Sequence, residues 1–139
     1  MLVLDTNHLT EIDLDTPKGH ELTRRLAESS EEHFLPIVVC EEILRGWLAL
    51  LHKARSDDEH VYAYSRFGRS LAELNRWTLL EWDQDTAAIF ARLRSEGIRI
   101  ATLDLRIASI ALAYDATLLS RNLRDFRLVP GLKVENWLD

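Results

Sequence analysis

Cysteine is nearly absent from this 139-residue sequence, where Cys40 stands alone. A single thiol closes no internal disulfide, which points to a reducing, cytoplasmic setting. No run of about 18 apolar residues occurs, so nothing is expected to span a membrane. A basic leader is missing as well: Met1-Leu2-Val3-Leu4-Asp5 reads as the direct entry into a strand. The five histidines, His8, His20, His33, His52 and His60, are scattered and lack any zinc-binding spacing. Positive charge is in deficit, with 17 Lys and Arg against 23 Asp and Glu, for a net charge of -6. That balance, taken over the whole chain, argues against nucleic acid as a partner. What remains is an ordinary globular composition, 47% apolar and 29% charged, which excludes disorder, collagen and coiled-coil arrays. The length suits one compact domain over residues 1–139.

The charge is unevenly distributed. Residues 1–91 hold 9 basic and 17 acidic groups, net -8, whereas residues 92–133 hold 8 basic and 4 acidic groups, net +4. The basic segment is either a surface that faces a polyanion or a set of solvated, partly paired arginines.

Short apolar runs alternate with helical patterns along the chain. Leu2-Val3-Leu4, ending at Asp5, reads as a buried strand of the parallel type. Further strands are expected at 34–39, 78–82, 116–120 and 133–135. Helices are expected from Pro17 to about Ala27, from Glu41 to Ala54, from Glu59 to Arg76, from Asp85 to Ser95 and from Leu103 to Tyr114. The alternation predicts an α/β fold with a mostly parallel sheet.

Ligands of open parallel sheets bind beyond the carboxyl ends of the strands, so the polar residues that follow strands carry the information. Asp5 follows the first strand; Asn122 and Asp125 follow the fourth. Asp104 sits in the first turn of the helix leading into that fourth strand, and Glu42 is expected in the first turn of the helix after the second. Four carboxylates from distant parts of the chain can therefore meet at one sheet edge. Gathered carboxylates either take up protons or bind a cation, and oxygen-only ligands select hard cations such as Mg²⁺ or Mn²⁺. Taken singly, Glu42 and Asp104 are also explained by the helix dipole, and Asp125 by pairing with Arg121 or Arg124. Asp5 resists such a reading, because an ionised carboxylate ending a buried strand needs a partner.

Several segments together resemble one family. Leu4-Asp5-Thr6-Asn7 is similar to the opening motif of PIN-domain ribonucleases, especially the VapC-type toxins of bacterial toxin–antitoxin pairs. Glu42-Ile43-Leu44-Arg45-Gly46, Asp104-Leu105-Arg106-Ile107-Ala108-Ser109-Ile110-Ala111 and Ser120-Arg121-Asn122-Leu123-Arg124-Asp125-Phe126 resemble its other segments, in order and at family spacing. The similarity runs over nearly the whole chain. It implies a three-layer α/β/α fold on a sheet of about five strands. It also implies Mg²⁺-dependent RNA cleavage (Mn²⁺ serving in its place), a homodimer and a cognate antitoxin.

The resemblance assigns Asp5, Glu42, Asp104 and Asp125 to catalysis, with Asp5, Asp104 and Glu42 on the metal. Thr6, Asn7, Ser120 and Asn122 would support them, and Arg106, Arg121 and Arg124 would meet RNA. A metal-activated water would then hydrolyse the phosphodiester, leaving 5′-phosphate and 3′-hydroxyl ends. His8 departs from the pattern: an apolar residue is usual there, and His8 either tunes the site or is neutral to it. Some relatives carry Asp at position 122, so Asn122 or Asp125 completes the set. A catalytically silent PIN-like module that binds RNA or protein is the alternative. A phospho-acceptor domain fits less well, because position 7 is Asn where one such class needs Asp.

Overall fold

The computed structural model describes residues 1–139. Strand β1 (Leu2–Leu4) leads into helices α1 (Thr6–Asp13) and α2 (Pro17–Glu28), then β2 (His33–Pro36), α3 (Ile37–Lys53) and α4 (Asp57–Leu74). Strand β3 (Leu79–Leu80), α5 (Gln84–Ser95), α6 (Thr102–Ala113), β4 (Thr117–Leu119), α7 (Leu123–Phe126) and β5 (Lys133–Glu135) follow. The five strands form one all-parallel sheet in the order β3-β2-β1-β4-β5, flanked by helices in a three-layer α/β/α arrangement. The α/β class and strand number expected from the sequence are therefore what the chain adopts.

The order places β1 at the centre, with the chain crossing to one side for β2 and to the other for β4. The crevice at this reversal opens at the carboxyl ends of β1 and β4, where ligands of such sheets bind. Leu4 is in register with Leu119, and Asp5 N–H bonds the Leu119 carbonyl at 2.9 Å, so Asp5 and Ser120 emerge side by side. Leu2, Val3, Leu4, Leu118 and Leu119 are buried, as central strands covered on both faces must be.

The second strand is shorter than the 34–39 expected from its apolar run. It ends at Pro36, and Ile37-Val38-Val39-Cys40 opens α3 instead. Pro36, with φ -62°, serves as the residue before the helix, and Val38, Val39 and Cys40 are buried in the core. Burial here outweighs the β-preference of the branched residues. One consequence is that Glu42 is not in the first turn of its helix, as expected, but in the second, where the helix dipole no longer accounts for it.

Two contacts fix the helices nearest the crevice. Gly19 of α2 packs so closely on α1 that a Cβ there would lie 2.1 Å from the Glu11 carbonyl oxygen. Asp13, at the end of α1, is buried and accepts from Ser70 Oγ of α4 at 2.5 Å, with Arg66 donating to its main-chain carbonyl at 3.1 Å. No helix is long and apolar enough to cross a membrane.

Candidate metal centre

Asp5 combines two jobs. As the N-cap of α1 its Oδ1 accepts from the Thr6 main-chain N–H at 2.7 Å. Its Oδ2 accepts from Ser120 Oγ at 2.5 Å and from Asn7 Nδ2 at 2.9 Å. The side chain is nearly lost from solvent, with the residue 4% exposed. Thr6 Oγ1 in turn donates to Glu42 Oε1 at 2.9 Å, which ties α3 to the start of α1. Asn122 Nδ2 donates to Asp104 Oδ2 at 3.3 Å and to Asp125 Oδ2 at 3.1 Å.

Three carboxylates converge from three elements. One oxygen each from Asp5, Glu42 and Asp104 lies within 4.8 Å of the others. Asp125 stands outside this trio, joined to Asp104 by the two hydrogen bonds that Asn122 Nδ2 donates, and Arg124 Nε reaches it at 3.2 Å. The four acids expected at the sheet edge are thus three in a cluster and a fourth beside it.

No Lys or Arg side chain sits within ion-pair distance of the cluster. None of the three acids takes part in an ion pair: Arg45 is held by Glu41 at 2.7 Å, and Arg121 by Glu11 at 2.9 Å and Asp139 at 3.3 Å. Burial therefore pushes Asp5 up despite its three donors. Burial also raises Glu42, with the charges of Asp5 and Glu41 adding to it. Asp104 is pushed up to about 6, first by burial and then by the charges of Asp5 and Glu42. Such groups hold protons or a cation, and three carboxylate oxygen donors suit a hard divalent ion, whose remaining positions are filled by water. Asp125 behaves in the opposite way, its carboxyl lowered by Asn122 and Arg124.

The supporting residues expected from the sequence all touch the site: Thr6 on Glu42, Asn7 and Ser120 on Asp5, Asn122 on Asp104. The arginines differ among themselves. Arg124 is open to solvent, 92% exposed at the side chain, and Arg106 lies with its guanidinium 5.6 Å from the Phe90 ring. Arg121 reaches the site with its backbone, whose N–H donates to Asn7 Oδ1 at 3.2 Å. The His8 ring is fully buried beside Asn7, with Nδ1 2.7 Å from Asn7 Oδ1. An unusual polar residue at an apolar position was the available signal.

Residues 2–132 match the family model for the PIN domain, and the chain belongs to that family. Among known proteins it is similar to the ribonuclease VapC2 of Rickettsia felis, 35% identical over 68 residues. That match covers 46% of this chain and spans about half of the relative, 51% of its length. It is also 29% identical over 140 residues to the plasmid stability protein StbB of Pseudomonas syringae pv. tomato, covering 98% of this chain and 97% of that one. Among solved structures, VapBC2 from Rickettsia felis, bound to a DNA fragment from its promoter, superposes with a TM-score of 0.78 at 24% identity, covering 98% of each chain. DNA-bound VapBC from Salmonella typhimurium gives 0.76 at 20% identity, over 98% of this chain and 97% of that one. The VapC-type resemblance of the motifs is borne out by these relatives.

Proposed function

We propose that this protein is a divalent-metal-dependent endoribonuclease and the toxin of a toxin–antitoxin pair. The observation that carries the reading is the convergence of Asp5, Glu42 and Asp104 with no ion pair to a Lys or Arg side chain. The VapC ribonucleases among its relatives support RNA as the substrate class. Asp5, Asp104 and Glu42 would hold Mg²⁺ or Mn²⁺, either ion fitting an all-oxygen donor set. When bound, such an ion supplies Lewis-acid polarisation of a phosphodiester and makes coordinated water a better nucleophile.

The chain's own residues do the rest. Ser120 and Asn7 keep Oδ2 of Asp5 fixed, and Thr6 orients Glu42. Glu42, half-buried and raised in pKa, is placed to take a proton from water. Asn122 joins Asp104 to Asp125, so Asp125 acts on the site through that amide. Arg106 and Arg124 supply the positive charge that lets a polyanion approach an acidic site, whereas the Arg121 guanidinium is engaged by Glu11 and Asp139. A cognate antitoxin and a second copy of the chain are the proposed protein partners. The complexes of VapB and VapC among the structural neighbours, and the apolar side chains left exposed on α3 and α4, support that proposal.

The test is cleavage of structured and unstructured RNAs with Mg²⁺ and then with EDTA. Expected are Mg²⁺-dependent products with 5′-phosphate ends and loss of most activity in Asp5→Asn. Activity that survives EDTA or Asp5→Asn rejects the assignment, and a metal-binding but inert protein establishes the silent-module alternative.

A further inference from the structure

His8 is enclosed at a position where the protein could have used a plain apolar side chain. Its ring instead makes two polar contacts that lead in opposite directions. On one side the main-chain N–H of Trp137 donates to His8 Nε2 at 3.2 Å. On the other, His8 Nδ1 lies 2.7 Å from Asn7 Oδ1. A backbone N–H can only donate, so Nε2 must be the accepting nitrogen and Nδ1 must carry the proton. Burial and the charge of Arg121 hold the ring down to about 4, so it is neutral at ordinary pH, as this arrangement requires.

The Asn7 amide is fixed by the same logic. Arg121 N–H donates to Asn7 Oδ1 at 3.2 Å, so that atom is the carbonyl oxygen whatever else surrounds it. The amide nitrogen must then face the other way, toward Asp5 Oδ2 at 2.9 Å and Ser120 Oγ at 3.3 Å. Ser120 spends its single proton on Asp5 Oδ2 and accepts from both Asn7 Nδ2 and Asn122 N–H, the latter at 3.0 Å. Every donor in the chain from Trp137 to Asp5 has an acceptor, and no group is free to flip.

The far end is anchored as well. The segment from Asn136 to Asp139 is held by Arg25, which donates to the Trp137 carbonyl at 2.9 Å and lies 4.4 Å from the Trp137 ring centroid, and by Lys18 and Arg121 on Asp139.

We propose that His8 is a positioning residue of the acidic site: set in its Nδ1–H form by Trp137, it makes the shorter of the two hydrogen bonds that hold the Asn7 amide onto Asp5, beside that from Arg121 N–H, and so couples residues 136–139 to the carboxylate cluster. The inference rests on the metal-site reading given above and extends it to a residue and a segment outside the cluster. Partners behind a ligand fix its orientation, and losing one commonly weakens metal binding about 10- to 100-fold.

The experiment uses the full chain and has two parts. In metal-free wild type, long-range ¹H–¹⁵N correlation of the imidazoles should show His8 neutral with the proton on Nδ1; a proton on Nε2 overturns the proposal without any variant. Mn²⁺ binding is then measured by calorimetry for wild type, His8→Leu, Asn7→Ala, their combination, and Asp5→Asn as a control. His8→Leu preserves burial and should weaken Mn²⁺ binding about tenfold, at the low end of that range. In the Asn7→Ala background the same change should cost nothing further, because the amide it acts through is gone. A role in packing alone would lower thermal stability and leave Mn²⁺ affinity at the wild-type value, and that result, or independent effects that multiply in the combination, overturns the proposal. If wild type binds Mn²⁺, Asp5→Asn does not and His8→Leu matches wild type, only this inference falls. If wild type takes up no Mn²⁺, the metal-site reading falls with it.

Discussion

Asp104 is the residue on which the folding cost of the carboxylate cluster is most visible. Its carboxyl is raised to about 6 by burial and by the neighbouring Asp5 and Glu42 charges. A raised acid binds more protons folded than unfolded, so its contribution to stability is present at low pH and is lost as pH rises through about 6. Two outcomes follow for the metal-free protein. Asp104→Asn should raise the melting temperature at pH 7.5, by about 2–4 °C for each kcal/mol of relieved repulsion, and should remove most stabilisation by Mn²⁺. Thermal scans with and without Mn²⁺ check both; an Asn variant less stable than wild type at pH 7.5 contradicts the repulsion. In wild type the Mn²⁺-induced rise should shrink from pH 7.5 to pH 5, where protons compete for Asp104. Asp5, by contrast, is legible from the sequence alone, because a carboxylate ending a buried strand has few other uses. His8 stands out in the sequence without an explanation there. Its partner Trp137 is 129 residues away in the chain, and only the pairing of β1, β4 and β5 brings them together.

The elements carry the site at fixed offsets from the sheet. Asp5 belongs to the end of β1 and to the cap of α1, Glu42 to the second turn of α3, and Asp104 to the first turn of α6. Helix α1 is therefore a part of the site as well as of the fold, and its packing is testable. Gly19→Ala would put a Cβ 2.1 Å from the rigid Glu11 carbonyl, so α1 and α2 must separate. A decrease of about 1–3 kcal/mol in stability is expected, read by urea denaturation; an unchanged midpoint would show that the two helices move apart freely. The boundary between β2 and α3 is where sequence patterning fails. Phe34 to Val39 is a continuous apolar run, and a buried strand and a buried helix start cannot be separated by periodicity in so short a stretch. Pro36 is the informative residue, since it suits the position before a helix as well as a strand edge. Gly97, with φ 80°, ends α5 as its position in the sequence implies. The four-residue α7 is too short to carry a pattern.

At the scale of the whole molecule, net charge conceals how the charge is divided. The total of -6 includes the three clustered acids, whereas Arg106 and Arg124 lie next to Asp104 and Asp125 in the segment of net +4. If the proposed RNA substrate is right, single-stranded RNA binding should weaken with salt, and replacing both arginines by Ala should flatten the log–log slope by about 0.7 for each phosphate no longer neutralised. A slope that does not change would remove them from the interface. A second surface feature concerns protein partners: Leu48, Val61, Tyr62 and Tyr64 of α3 and α4 are 54%, 69%, 57% and 62% exposed. If this face joins two copies, Tyr62→Glu should shift the mass seen by light scattering from dimer to monomer; a mass that stays dimeric places the interface elsewhere. Metal binding by the three carboxylates is best read by a binding measurement, because a trace of contaminating nuclease cannot imitate it. Mn²⁺ titrated calorimetrically at pH 7.5 should bind the wild-type chain saturably and lose most of its affinity in both Asp5→Asn and Asp104→Asn. Equal affinity in all three proteins would contradict the assignment of these carboxylates to a metal.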